Sequence, residues 1–185
     1  MKKKAIVVIL VLIIANLAIY FYNSKSVTLE DSNANISMSL SSRIFESGSY
    51  IPFEYTCDGE SARLSFKIKN VPKSAKSLAI VMGDTDAPNG NFIHWTIWNI
   101  SPRIREIEGD LLPGGALEGK NSAKTIGWVS PCPASGTHHY YFSLYALDNV
   151  LSLPEGSTES ELQKSMDGHI LETASMTALY EKITR

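Results

Sequence analysis

Ionisable side chains stand at intervals along the apolar middle of this chain. His94 lies inside the apolar run 91–100, Asp84 and Asp86 precede that run, and His138 follows it. An imidazole changes charge near neutral pH and can donate and accept hydrogen bonds at the same time. A carboxylate beside an imidazole can fix its tautomer. These residues therefore form a candidate functional site.

The residue types leave several functions open for this cluster, which also includes the phenol of Tyr140. Histidine and aspartate are ordinary ligands for zinc or iron, but the tight spacing of recognised metal motifs is absent, so we predict neither metal nor cofactor. A hydrolase with a histidine as general base also needs a nucleophile. The chain has no Gly-x-Ser-x-Gly motif to supply a serine, and Cys132 between two prolines has no evident activating partner. We therefore predict that the protein is not an enzyme. Imidazole, phenol and backbone N–H donors could hold a small anion. The alternative is that Asp84, Asp86 and Pro88 form only a satisfied turn.

The elements that must position these residues are mostly strands. Apolar and polar residues alternate in 36–41 and 64–69, a pattern typical of half-buried strands. The continuous apolar run 77–82 suits a strand buried on both faces, and 92–100 and 140–147 are rich in aromatic and β-branched residues. Strands without alternating helices favour a mainly β protein, an antiparallel β-sandwich.

Helices are predicted near the C-terminus. Thr158 and Glu161 have the spacing of a capping box. Apolar residues then recur every fourth position, which predicts one apolar stripe on a helix: Leu162, Met166, Ile170, Ala174 and Ala178. Because Gly168 interrupts the stripe, we predict a short helix, a bend, and a longer helix to about Lys182 that packs against the sheet.

A hydrophobic leader precedes the domain. Three lysines at positions 2–4 are followed by residues 5–22, which carry no charge. A membrane-spanning helix needs about 20 apolar residues, and a signal-peptide core about 7–15. We predict a signal-anchor or signal peptide over 1–26, a linker over 27–35 and a globular domain over 36–185. The lysines stay in the cytoplasm, so the domain is expected in the periplasm or at the cell surface. It is anchored by the N-terminal hydrophobic helix, or secreted if the leader is cleaved.

Charge and cysteine content narrow the class of protein. The 185 residues include 17 Lys+Arg and 19 Asp+Glu, a net charge of -2 that gives no electrostatic footprint for nucleic acid. Cys57 and Cys132 both lie in the part predicted to be exported, where a disulfide is permissible. The sequence leaves a disulfide and two separately buried thiols as open alternatives.

Several separated motifs resemble one known family. In chain order they are Asp84-x-Asp86-Ala87-Pro88, His94-Trp95, Ser130-Pro131-Cys132-Pro133 and His138-x-Tyr140. With the stretches 55–59, 144–148 and 168–171, they resemble the phosphatidylethanolamine-binding protein family, in particular its bacterial, Raf kinase inhibitor-like branch. The resemblance runs from about Ile36 to Tyr180. It implies an antiparallel β-sandwich with peripheral and C-terminal helices and a pocket for phosphate or a phosphoethanolamine-like head group.

The resemblance also implies the ligand-binding residues, which are Asp84, Asp86, Pro88, His94, Pro131, His138 and Tyr140. The two histidines would donate to phosphoryl oxygens, and the aspartates would orient them or meet an ammonium group. The alternative function is an inhibitor or interaction module that acts on an exported protease or kinase-type partner. Because bacterial relatives are often dimers, a homodimer is expected by analogy alone.

The chain departs from the family pattern at several positions. Thr85 and Ala134 stand where the family usually has proline, Ser130 where it has glycine, and His139 where it has arginine. Residues 61–64 replace an expected Ser-Pro-Pro segment. We expect these departures to change the shape of the pocket rather than the fold.

Overall fold

The computed structural model describes residues 13–21, 37–88 and 90–182. The chain divides into two compact units, Met1–Ile36 and Ser37–Arg185. In the first unit, residues 13–21 form helix α1. The rest of the predicted leader and linker lies outside the described residues. Within the described ranges, no helix is long and apolar enough to cross a membrane.

The second unit is built from two antiparallel sheets and little helix. The first sheet has the order β1-β2-β5, with β1 at Ser39–Ser42, β2 at Phe66–Lys69 and β5 at Glu106–Ile107. The second has the order β6-β4-β3-β7-β8, with β3 at Ser77–Asp84, β4 at Phe92–Ile100, β6 at Leu117–Glu118, β7 at Thr137–Leu147 and β8 at Ile170–Glu181. A 3-10 helix occupies Phe53–Tyr55, and helix α2 spans Glu159–Met166. The prediction of a mainly β, antiparallel protein is confirmed.

The main core draws side chains from both sheets. Phe66 of β2 stacks on Trp95 of β4, with ring centroids 6.3 Å apart, and lies 5.2 Å from the ring of Phe142 of β7. All three side chains are fully buried. Burying each removes roughly 150–250 Å² of largely apolar surface from water, which stabilises the fold. The two antiparallel sheets therefore share one core, as the prediction of a mainly β protein requires. That the sheets form a β-sandwich stays a prediction.

Strand β3 is buried on both faces, as its continuous apolar run predicts. Ala79 and Val81 belong to a second apolar cluster, which includes Leu162 and Met166 of α2. Helix α2 therefore covers the face of the five-stranded sheet that lies away from the main core. Its N-terminus has the predicted capping box, with the Thr158 side chain and the Glu161 side chain each bonded to the other residue's backbone N–H.

The predicted C-terminal helix to about Lys182 is wrong, because that segment is strand β8. It pairs with β7 along its whole length. A spacing of four residues is close to one helical turn of about 3.6 residues and is also twice the strand repeat of two, so Ala174 and Ala178 also share one face of a strand. The intervening Met176 and the following Tyr180 are buried on that same face, which makes the true repeat two. Gly168, with a φ of 76°, follows the end of α2 and lets the chain turn into β8.

Candidate functional site

A cavity of about 210 Å³ opens at one end of the five-stranded sheet, where β3 ends and β4 and β7 begin. Its lining residues are Asp84, Ala87, Pro88, Phe92, His94, Val129, Ser130, Cys132, Pro133, Ala134 and His138. This lining is mostly apolar, with a few polar groups that converge, as is usual for small-molecule sites. No lysine or arginine is among these lining residues.

Asp84 and His138 form a buried pair on neighbouring strands. Asp84 is the last residue of β3 and lies opposite Tyr140 of β7, which brings its carboxylate beside the histidine. His138 Nδ1 donates to Asp84 Oδ2 at 2.6 Å, and the backbone N–H of Asp86 donates to Oδ1 at 2.8 Å. Both carboxylate oxygens are therefore used within the protein. The pair fixes the His138 ring through Nδ1, and no hydrogen bond to its Nε2 forms among the described residues.

His94 occupies an irregularity in β4. Met82 lies opposite Trp95 and Gly83 lies opposite Ile93, so His94 is the extra residue of a β-bulge. Bulges re-aim a side chain and are common beside functional sites. The His94 carbonyl accepts from the backbone N–H of Val129 at 3.1 Å, and its Nδ1 lies 2.9 Å from the Val129 carbonyl oxygen. The residue is 4% exposed, and burial lowers the pKa of His94 below its ordinary value.

Two aromatic rings enclose the His94 imidazole. The ring of Phe92 lies 4.8 Å from it and the ring of Tyr140 lies 5.3 Å from it, edge to face. Tyr140 is fully buried, and its hydroxyl has no hydrogen-bond partner among the described residues. Burial above all, and then the charge of Asp84, raises the pKa of Tyr140. The phenol therefore stays protonated and can donate to a group that enters beside it.

Asp86 is not part of the cavity lining and holds His139 instead. Its Oδ2 accepts from both the backbone N–H and the Nδ1 of His139, each at 2.7 Å. These hydrogen bonds, the backbone one first, lower the pKa of Asp86. The Asp86 and His139 side chains are 42% and 65% exposed. His139, which stands where the family usually has arginine, thus still supplies a partner for this aspartate.

The segment 130–134 is held against the loop that follows the 3-10 helix. Of the two alternatives for the cysteines, the structure has the disulfide between Cys57 and Cys132. The backbone N–H of Cys57 also donates to the Pro131 carbonyl at 3.0 Å. Ser130 Oγ donates to Ser61 Oγ at 3.1 Å. Two departures from the family pattern, at Ser61 and Ser130, therefore meet each other and help to fix this wall.

A buried polar cluster supports β4 behind the cavity. The indole N–H of Trp95 donates to Glu118 Oε1 at 2.6 Å, and Arg63 Nη1 lies 3.2 Å from the same oxygen. The Arg63 guanidinium also lies over the Trp95 ring, 5.4 Å from its centroid. Glu118 thus anchors the residue next to His94.

The structure brings together four of the seven predicted site residues, since Asp84, Pro88, His94 and His138 line the cavity. The other three, Asp86, Pro131 and Tyr140, adjoin it without being part of the lining. The sequence prediction missed Phe92, which the strand repeat of two could have placed beside His94. It also missed Val129, for which no sequence pattern gave a signal. In the described part of the chain, no group of three or more His, Cys, Asp or Glu side chains could hold a metal ion.

Comparisons with known proteins agree on one family. A family model for phosphatidylethanolamine-binding protein matches residues 41–181. A UPF0098 protein of Methanothermobacter thermautotrophicus is 40% identical over 150 residues, which cover 78% of this chain and 99% of that protein. Another, from Chlamydia trachomatis, is 41% identical over 151 residues, 78% of this chain and 99% of that protein.

Solved structures are similar across the same region. The crystal structure of a homolog of phosphatidylethanolamine-binding protein from Chlamydia trachomatis has a TM-score of 0.77 and 39% identity, and the match covers 80% of this chain and 99% of that one. Escherichia coli YbcL, a member of the mammalian PEBP family, has a TM-score of 0.74 and 25% identity over 80% of this chain and 99% of its own.

Proposed function

Because this chain belongs to the phosphatidylethanolamine-binding protein family, we propose that it is a non-catalytic binding protein for a small phosphate-containing or zwitterionic head group. The ligand would sit in the cavity between His94 and His138. The observation that carries the proposal is that each imidazole uses Nδ1 within the protein, on Val129 and Asp84, and keeps Nε2 for a ligand. Two rings fixed in this way form a preorganised pair of polar contacts.

The size of the cavity supports a small ligand. Its volume of about 210 Å³ lies below the range of about 300–1,000 Å³ that is usual for drug-sized molecules. A head group of a few heavy atoms, with its polar end at the two imidazoles and its carbon atoms against Pro88 and Phe92, suits this space. The unpartnered hydroxyl of Tyr140 would gain an acceptor if a ligand oxygen came within reach.

The hydrogen bonds around the cavity support binding without turnover. Nucleophilic catalysis needs a nucleophile within hydrogen-bond reach of a base. Among the described lining residues, the Ser130 hydroxyl donates to Ser61, and Cys132 is held in the disulfide. The carboxylate of Asp84 already accepts two hydrogen bonds. The candidate nucleophiles are therefore occupied by structural contacts.

Titration with phosphoethanolamine tests the proposal. The four histidines of the chain serve as internal probes in NMR spectra of the ring protons. We expect His94 and His138 to shift at millimolar ligand, while His169, whose Nδ1 lies 2.8 Å from Asp148 outside the cavity, stays in place. His94→Ala should abolish the shift of His138, and His169→Ala should not. Identical spectra with and without ligand would reject the proposal.

We also propose that the domain is exported, either anchored by its N-terminal segment or secreted. The Cys57–Cys132 disulfide supports this location, because disulfides persist mainly in oxidising compartments. Protease added to spheroplasts, in which any outer membrane is opened and the cytoplasmic membrane is intact, should digest an anchored exported domain, whereas a cytoplasmic reporter in the same cells should survive. Protection of both would contradict export. The alternative function as an inhibitor or interaction module stays a prediction.

A further inference from the structure

The His94 ring has a defined direction of hydrogen bonding. A carbonyl oxygen can only accept, so the Nδ1 that lies 2.9 Å from the Val129 oxygen must carry the proton. In a neutral imidazole, Nε2 is then a bare lone pair. Within the described part of the chain, no group donates to that lone pair. It is therefore an acceptor in a buried setting, with a ligand as its available partner.

The Ser130 hydroxyl is oriented in the same sense. Ser61 Oγ donates to the Thr56 carbonyl at 3.3 Å, and so it must accept from Ser130 Oγ, which lies 3.1 Å away. The hydroxyl hydrogen of Ser130 is directed away from the cavity. Ser130 thus presents lone pairs to a ligand, as His94 does, and the wall formed by these two residues is rich in acceptors.

Few charges act on this part of the cavity. Asp84 from β3 and His138 and Tyr140 from β7 are the ionisable groups that face His94. Burial lowers the pKa of His94 foremost and His138 adds to the effect, while the Val129 carbonyl and Asp84 act in the opposite direction. Neutral His94 is therefore the resting form at neutral pH. A fully deprotonated oxyanion would place its lone pairs against those of His94 and Ser130.

We infer, resting on the function proposed above, that this cavity selects oxyanions that can carry an ionisable proton when bound. The preferred class is the phosphate monoester, whose P–OH group donates to His94 Nε2. A monoester has a second pKa of about 6, so at neutral pH it is mostly the dianion and binds as the monoanion by taking up one proton, at a cost of about tenfold in affinity for each pH unit above that pKa. Sulfate esters and phosphate diesters carry no ionisable proton at this pH. They bind more weakly, either with His94 Nε2 left unpaired or after His94 has taken a proton from solvent.

A pair of matched probes tests this selectivity. Phosphoethanolamine and 2-aminoethyl sulfate have the same ammonium group and nearly the same shape, and differ in the ability to carry a proton. Calorimetric titration of the full chain at pH 7.5 should give about tenfold to hundredfold tighter binding of the phosphate, because the sulfate leaves a buried acceptor unpaired. Repeating the phosphate titration in two buffers of different ionisation enthalpy should report net uptake of close to one proton.

The pH profile separates the two probes further. Sulfate affinity should rise by up to about tenfold for each unit that the pH falls towards the range in which His94 is protonated, as one-proton linkage requires. His94→Gln places an amide N–H near the position of Nε2 at every pH. It should remove both the discrimination and the pH dependence of sulfate binding. His169→Gln, which alters a histidine outside the cavity, should leave both intact, and melting curves establish that each variant is folded.

The outcomes distinguish this inference from the proposed function. Equal affinity of the wild-type chain for the two probes, without proton uptake, overturns the inference and leaves head-group binding in place. Discrimination that survives unchanged in folded His94→Gln also overturns it. Failure of both probes to bind the folded wild-type chain at any pH overturns the inference and the proposed function together. If His94→Gln does not fold, the probe pair on the wild-type chain decides alone.

Discussion

The Cys57–Cys132 disulfide should be a major contributor to the stability of this domain. The two residues are 75 apart in the sequence, so the bond closes a long loop in the unfolded chain. For a loop of that length, the chain-entropy relation gives about 4.5 kcal/mol at 25 °C. The Cys57→Ala/Cys132→Ala double variant of the full chain should lose a free energy of unfolding of that order. Its melting temperature should fall by roughly 9–18 °C, at about 2–4 °C per kcal/mol for a chain of this size.

Urea denaturation followed by tryptophan fluorescence measures this loss. The folded conformation of the segment 130–134 should survive the substitution, because the hydrogen bonds from Cys57 to Pro131 and from Ser130 to Ser61 do not involve sulfur. The effect should therefore appear mainly in the unfolded state, and wild-type protein reduced with excess dithiothreitol should behave like the double variant. A loss below about 1 kcal/mol, with an unchanged slope against urea, would refute the loop-entropy argument.

Two further predictions concern buried charge. Glu118→Ala leaves the Arg63 guanidinium buried without its partner, and it should lower the free energy of unfolding in urea by about 3–5 kcal/mol. The control Glu106→Ala breaks an exposed pair with Arg43 and should lower it by less than about 1 kcal/mol. Because burial lowers the pKa of His94 in the folded protein, the unfolded chain takes up this proton first as the pH falls below 6.5. The unfolding free energy of the wild type minus that of His94→Gln should therefore be constant above that pH. Below it, the wild type should lose up to about 1.4 kcal/mol per pH unit relative to the variant.

The strands could be predicted from the sequence where burial imposes a simple pattern. Strand β3 reads as a continuous apolar run because the core and helix α2 cover its two faces. The last strand could not be predicted, because the stripe formed by Ile170, Ala174 and Ala178 fits both a helix and a strand. Met176 and Tyr180 give the local signal for a repeat of two that favours a strand, and long-range pairing with β7 settles the choice. Local periodicity is thus sufficient when it has one interpretation and insufficient when two elements share it.

The candidate site was predictable to the extent that its residues form motifs. Asp84 and His138 meet because antiparallel pairing brings the end of β3 beside the start of β7. Val129 and Ser61 could not be found in this way. Val129 lies 35 residues from its partner His94, and Ser61 lies 69 residues from its partner Ser130. Each decides the direction of a hydrogen bond rather than the presence of a polar group. The sequence therefore predicted the polar groups of the cavity, and the structure supplied their donor and acceptor roles.

The two roles of His94 fall on different atoms of one ring. A polar ring in a buried strand needs a hydrogen-bond partner to avoid a desolvation cost, and Nδ1 meets that need through the Val129 carbonyl. The bulge in β4 makes this contact available by placing the extra residue where its carbonyl and its side chain both reach Val129. Nε2 is not needed for that structural purpose. His94 can therefore have a structural role and a ligand-binding role at the same time. The hydrogen bond from Nδ1 to the Val129 carbonyl meets the structural need, and it also makes Nε2 an acceptor.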